Sequence, residues 1–300
     1  MRKYFHVNTF TTLPMKGNPA GVVLGADSLK PSDMQAIARD LALPETVFVL
    51  KPDSRESVAR LRWFSPAQEL EISGHGTLAA VNVLIKERMI APPDTFVQVI
   101  NLEYKSGQLA VSLSKSNGTD PSVWINLPVP SLSPFGGAQE DIFRHLGITD
   151  NDIDSRLPIM KSDTRVLIIP VLGLLTLRKI APNFENLKRI LADEGLRGVS
   201  TFCRETMRPS SNFHSRYFSP GTGINEDPVT GLVNGILAHY WVSTVLSSVE
   251  NRTYTFTGEQ GEAISREGEV KVNVHIRDGK THGVEISGSA RILLQGTLEF

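Results

Sequence analysis

Arg216-Tyr217-Phe218-Ser219-Pro220-Gly221-Thr222-Gly223-Ile224-Asn225-Glu226-Asp227-Pro228-Val229-Thr230-Gly231 opens as a short aromatic strand and becomes a loop dense in Gly, Pro, Asn, Asp and Thr. It ends on Thr230-Gly231 at the head of an apolar run, Leu232 to Leu246. Much of the pattern occurs earlier. Arg62-Trp63-Phe64-Ser65-Pro66 is followed by Gln68 to Ser73, then by Gly74-His75-Gly76-Thr77 and another apolar run, Leu78 to Ile85. The two Phe-Ser-Pro units lie about half a chain apart. Fixed-period arrays need at least three units, so one repeat of this size reads as two homologous halves of strand, polar loop and buried helix.

Length agrees, since 300 residues suggest two domains of roughly 150 residues each. The apolar runs Leu78–Ile85 and Leu232–Leu246 are hydrophobic nearly all round, and such helices are buried on every side. Each predicts a central helix wrapped by a barrel-like sheet, hence an α+β fold of two pseudo-symmetric domains. Strands are predicted at Lys3–Thr9, Val22–Leu24, Arg60–Phe64, Leu109–Leu113, Arg165–Val171, Val199–Arg204, Thr253–Thr257, Glu269–Ile276 and Ala290–Leu298 from apolar runs and period-2 alternation. Helices are predicted at Pro31–Leu41, Glu140–Leu146 and Asn183–Glu194. The polar, turn-rich Ser114–Pro121 is the expected crossing between halves.

A net charge of −1 and the lack of any Lys/Arg block argue against nucleic acid as a partner. The single cysteine, Cys203, excludes an internal disulfide and a Cys-rich metal site. His6 and Asn8 interrupt the N-terminal apolar stretch, so no signal peptide is read. The most apolar window, Leu167 to Leu177, is far short of the ~20 residues of a spanning helix. These readings predict a cytoplasmic protein with no membrane association. The remaining histidines show no metal-ligand spacing, so no metal is expected. His239 reads as a satisfied core residue and Cys203 as a buried small hydrophobe.

The chemistry is read from the loops. Both repeats place a Gly-rich turn before a buried helix, whose first N–H groups lack internal partners and carry partial positive charge. Glycines let a ligand approach that backbone closely. Gly74, Gly76, Thr230 and Gly231 are therefore candidates for binding a small carboxylate, in a cleft between the halves. Glu45, between Pro44 and Thr46-Val47-Phe48-Val49, is a candidate general acid/base if burial raises its pKa; a solvated strand-start Glu is the plainer reading. His75 could donate a hydrogen bond or relay a proton, or be an ordinary surface histidine. Asp227 could cap the second central helix or fix a catalytic group.

Five stretches occur in order: Gly17-Asn18-Pro19-Ala20-Gly21, Pro44-Glu45-Thr46-Val47-Phe48-Val49, Phe64-Ser65-Pro66, Gly74-His75-Gly76-Thr77-Leu78-Ala79-Ala80 and Glu226-Asp227-Pro228-Val229-Thr230-Gly231. On these the sequence resembles the phenazine-biosynthesis PhzF-like family, which shares the diaminopimelate epimerase-like fold. The resemblance implies an isomerase that shifts a proton between carbons of a small carboxylate substrate with no cofactor. It implies Glu45 as acid/base, assisted by His75 and Asp227, with Gly74 and Gly231 at the carboxylate site. It also implies a homodimer. The halves are placed at 1–118 with about 287–300, and at 119–286. Epimerase relatives use two cysteines, which this chain lacks. Leu232 stands where a small polar residue is frequent, Pro44 where Ser is common and Gly76 where Ala is common. Two alternatives remain: a racemase or epimerase acting on an amino-acid-like substrate, and a non-catalytic metabolite-binding or interaction protein that keeps the cleft.

Overall fold

The computed structural model describes residues 1–93, 96–115, 121–246 and 248–299. The chain divides into two compact units, Met1–Asn126 with Glu285–Phe300, and Leu127–Val284. The crossing expected at Ser114–Pro121 falls largely on residues 116–120, outside the described residues. Among the described residues no helix is long and apolar enough to cross a membrane.

The first unit runs β1 (Arg2–Thr9), β2 (Asn18–Leu24), α1 (Pro31–Leu41), β3 (Glu45–Leu50), β4 (Ser57–Phe64), β5 (Glu69–Leu70), α2 (Gly74–Lys86), β6 (Val97–Tyr104), β7 (Gly107–Ser114) and β8 (Ser122–Leu127). The last strand, β18 (Ala290–Leu298), returns to pair antiparallel with β1. β2 and β3 are buried along their whole length, as strands covered on both faces are. Helix α1 begins with Pro31 at its first position, and the Asp33 side chain accepts the Lys30 N–H at 3.0 Å. Its Met34 and Ala38 pack with Val23, Phe48 and Phe64. Helix α2 packs against β1, β2, β3 and β18. Residues 76–81 of α2 are all buried. That consecutive run covers more than one turn, so the helix is enclosed on every side as its sequence predicts.

The second unit runs β9 (Leu132–Pro134), α3 (Gln139–Leu146), β10 (Met160–Ser162), β11 (Val166–Pro170), α4 (Leu174–Lys179), α5 (Phe184–Asp193), β12 (Gly198–Cys203), β13 (Phe213–Ser219), β14 (Ile224–Asp227), α6 (Gly231–Tyr240), β15 (Thr253–Gln260), β16 (Gly268–Arg277) and β17 (Lys280–Ser287). Helices α3 and α5 bury Ile142, Leu146, Leu187 and Leu191 against Leu167, Ile169 and Val199 of β11 and β12. Helix α6 packs against β15 and β16 and buries every residue from Val233 to Ala238.

The repeat extends to strand pairing. In the first unit β2 pairs parallel with β3, β3 antiparallel with β4, β4 antiparallel with β5, and β4 parallel with β6, which pairs antiparallel with β7. In the second unit β11, β12, β13, β14, β15 and β16 repeat these pairings in the same order and sense. The central helix follows the short fourth strand in both. The register aligns the halves residue by residue. Phe64 lies opposite Thr46, and Phe218 opposite Val199.

One expected helix is corrected. The apolar run Leu232–Leu246 does not form a single α-helix. It is α-helical to Tyr240 and then widens into a π turn, Trp241–Val245. The hydroxyls of Ser243 and Thr244 donate to the carbonyls of His239 and Tyr240 at 2.8 and 2.5 Å. Such back-bonding competes with the backbone ladder, and the Leu246 N–H bonds five residues back to Trp241. His239 is half-buried, its Nδ1 3.0 Å from the Thr281 hydroxyl. Cys203 is buried at the end of β12, and burial pushes its thiol up to about 12.

Candidate functional site

Strand alternation aims Glu45 at the head of α2. Glu45 and Val47 are two residues apart on β3 and so share a face; Phe48 points the other way, into the α1 cluster. That shared face meets Gly76. A Cβ on Gly76 would fall on Glu45 Oε2 and lie 2.9 Å from Val47 Cγ2 and 2.8 Å from Trp63 Cδ1. The close approach therefore requires glycine at 76. Glu45 is only 2 % exposed, not the solvated strand-start residue of the plainer reading.

The Ser73 hydroxyl and the His75 ring converge on the Glu45 carboxylate. The Ser73 hydroxyl donates to Oε2. His75 Nε2 stands 3.4 Å from the same oxygen, and His75 Nδ1 stands 3.4 Å from Ser73 Oγ. Burial pushes the His75 imidazole down to about 4, so at pH 7 it is neutral and carries one N–H. Ser73 is also the N-cap of α2, accepting the Gly76 N–H at 3.1 Å, and its carbonyl accepts that of Thr77. The N–H groups of Gly74 and His75 stay outside the helix's own bonds and carry the positive end of its dipole.

The second unit builds a matching corner. Asp227 ends β14 and is buried. It does not cap α6. The N-cap is Thr230, and its hydroxyl donates to Asp227 Oδ2 at 2.5 Å without bonding the helix. Gln260, 1 % exposed, ties the corner together. Its Nε2 donates to the Asp227 carbonyl at 2.8 Å and to Thr230 Oγ1 at 3.2 Å. Its Oε1 accepts the Thr230 N–H and the Asn234 side chain, both at 3.0 Å. Gly231 follows as the first residue of α6, and Leu232 is half-buried behind it.

Both corners are held by the same clamp. Arg62 on β4 makes a bidentate pair with Glu69 on β5 at 2.7 and 2.9 Å, and Arg216 on β13 makes one with Glu226 on β14 at 2.9 and 2.8 Å. Each guanidinium lies over the phenylalanine two residues on, 5.3 Å from the Phe64 centroid and 5.0 Å from that of Phe218. The repeated Arg-x-Phe-Ser-Pro thus has a common physical role: it fixes the strand ends that lead into the two loops.

Of the sites read from sequence, Glu45, Gly74, His75 and Gly76 come together in the first unit, and Asp227, Thr230 and Gly231 in the second. Ser73 and Gln260 were not among the candidates. Ser73 had a signal, a hydroxyl immediately before the helix glycine in both repeats. Gln260 had none, since it reaches the loop from 30 residues further along.

The family model described as "Phenazine biosynthesis-like protein" matches residues 7–296. The chain belongs to this PhzF-like family. Several of its curated relatives are named as uncharacterized isomerases. The uncharacterized isomerase YddE of Salmonella typhimurium is 36% identical over 297 residues, 96% of this chain and 95% of that one. The uncharacterized isomerase YfhB of Bacillus subtilis is 33% identical over 284 residues, 94% of this chain and 93% of that one. A PhzF-family phenazine biosynthesis protein of Bacillus anthracis superposes with a TM-score of 0.90 at 28% identity, covering 100% of this chain and 99% of that one. A probable proline racemase of Agrobacterium radiobacter shares the fold alone, with a TM-score of 0.65 at 11% identity over 100% of this chain and 93% of that one. The PhzF-like chain therefore has the expected α+β, diaminopimelate epimerase-like fold.

Proposed function

We propose that this PhzF-like chain is an isomerase that moves a proton between carbons of a small carboxylate-bearing substrate, with Glu45 as the general acid/base. The observation that carries the reading is the buried Glu45 carboxylate, met by the Ser73 hydroxyl and by a neutral His75. A buried carboxyl that can accept and return a proton, held by fixed donors, is the arrangement such catalysis needs. The N–H groups of Gly74 and His75, outside the helix's own bonds, supply positive potential for the substrate's own carboxylate. Asp227, Thr230 and Gly231 serve the same substrate on this reading, an extension that rests on the repeat and on the family motif. No cofactor takes part. A homodimer in the cytoplasm is the assembly and compartment that go with the proposal.

A symmetric two-base racemase would carry its two bases at matching positions of the repeat, and the register gives no such pair. Glu45 is the first residue of β3, and the matching first residue of β12 is Gly198. The position matching Asp227, opposite Trp63 as Asp227 is opposite Tyr217, is Leu70. Each half thus supplies one acid at a place where the other half has none.

The test is proton exchange followed by NMR in deuterated water. Wild type and Glu45→Gln are incubated with small cyclic and amino-acid-like carboxylates, including trans-2,3-dihydro-3-hydroxyanthranilate. Deuterium should enter one C–H position with wild type and be lost at least ~100-fold in the mutant. Full turnover by Glu45→Gln would overturn the mechanism. Ligand-induced shifts with no exchange across the panel would replace it with a binding protein.

A further inference from the structure

We infer that Gln260 is a positioning residue: its carboxamide commits the Thr230 hydroxyl hydrogen to the Asp227 carboxylate, so that Thr230 serves the substrate through Asp227. The inference rests on the proposed role of Asp227 and adds a group to it.

Two backbone groups fix which way the Gln260 amide points. The Thr230 N–H, at 3.0 Å, has to meet an oxygen, and the Asp227 carbonyl, at 2.8 Å, has to meet an N–H. The Asn234 amide adds a second donor to Oε1. One Nε2 hydrogen is left, and it meets Thr230 Oγ1 at 3.2 Å. A threonine hydroxyl has one hydrogen and two lone pairs. One lone pair takes the amide, and the hydrogen goes to Asp227 Oδ2. Both Thr230 donors, N–H and O–H, thus end inside the protein. The N–H groups of Gly231 and Leu232 precede the first helix bond, from Asn234 to Thr230, and these are the donors the head of α6 can offer a carboxylate.

The repeat ties the amide to the acid. Glu259 and Glu103 hold matching places, opposite His214 on β13 and opposite Arg60 on β4, each four residues before the phenylalanine of its Phe-Ser-Pro unit. Each accepts two consecutive loop N–H groups: Met207 and Arg208 at 2.7 and 2.9 Å, and Asp53 and Ser54, both at 2.7 Å. The next residue is Gln260 in the second unit and Tyr104 in the first. Asp227 has Leu70 as its counterpart. The glutamates, the Arg–Glu clamps and the hydroxyls before the helix glycines occur in both units. The acid and the amide occur together in one and are replaced together in the other.

Gln260→Glu keeps an oxygen for the Thr230 N–H and for Asn234 but, ionised, has no hydrogen to give. The Thr230 hydroxyl then faces a second acceptor. Thr230→Val removes the hydroxyl at similar size, and Thr230→Ser keeps it. Side-chain amide NMR of the full chain without substrate reads the contact directly, with no substitution at 260. In Thr230→Val one of the two Gln260 Nε2 hydrogens should move upfield while the other stays, and Thr230→Ser should keep the wild-type pattern. The Asp227 carboxyl ¹³C resonance at pH 7 should move in Thr230→Val and in Gln260→Glu, and in the double variant by less than the sum, because both act through one hydroxyl. In the deuterium-exchange assay each single variant should lower kcat about 10-fold at nearly unchanged KM, and the double variant little further. Unmoved Gln260 hydrogens in Thr230→Val, or additive ¹³C changes, overturn the inference. If Asp227→Asn keeps full exchange while the spectra behave as stated, it is the reading of Asp227 as a catalytic group that fails, and its positioning by Gln260 stands.

Discussion

A methyl group at position 76 would be placed on the Glu45 carboxylate, with Trp63 and Val47 closing the other sides. Gly76→Ala is expected to destabilise the chain by about 1–3 kcal/mol in urea unfolding. The mobile end of Glu45 gives way before the Trp63 ring does, so Glu45-dependent exchange should fall along with stability. The missing side chain at Gly76 is the space the carboxylate occupies. At this scale the sequence was partly readable. Glu45 and His75 were visible as motif residues, but burial of Glu45 depends on β2, β4 and α2 meeting around it, which no local pattern reports. Thr230 carried a hydroxyl before a helix glycine, and the sequence did not say that Asp227 would receive it.

At the scale of elements, the two Arg–Glu clamps are alike in geometry and unlike in burial. Arg216 and Glu226 are each 8% exposed, and Arg216 Nη1 also donates to the Leu177 and Ile180 carbonyls at 2.8 Å. Arg62 and Glu69 are 21% and 24% exposed. Arg216→Ala leaves a buried carboxylate and two helix-end carbonyls without their partner and should cost about 3–5 kcal/mol. Arg62→Ala should cost about 1 kcal/mol or less. Denaturant titration of both variants checks the contrast. The clamp also explains which elements could be read in advance. The central helices and long strands declare themselves by their own periodicity. Helix α4 is six residues long. Its C-terminal carbonyls are held by Arg216 and its first N–H by Glu205 Oε2 at 2.9 Å, so its cause lies in other elements. The two-residue β5 and the four-residue β14 exist for the same reason, as partners that the Arg clamps hold down.

For the whole molecule, His75 couples folding to pH. Its folded value, about 4, lies below the unfolded 6.5. Between these the unfolded chain binds more protons, so stability rises with pH across that window and is complete above it. Protonation as pH falls from 6.5 toward 4 should remove on the order of 1–3 kcal/mol. His75→Gln should flatten this part of the stability–pH curve while the carboxylate-driven loss at lower pH remains. Thermal unfolding of both proteins at half-unit steps from pH 4 to 7 measures it.

The glycine that stands in place of a second Glu45 has a stereochemical meaning. A Cβ on Gly198 would lie 2.6 Å from the Tyr217 hydroxyl and 2.7 Å from the Phe218 carbonyl, so packing leaves no room there for an acid. One base reaches a carbon from one side, and it lifts and returns a proton on that same side. On the Glu45 reading, a molecule built in this way takes a proton from one face and delivers it to the same face of the receiving carbon, whereas a racemase built on the same duplicated frame exchanges the two faces of a single carbon.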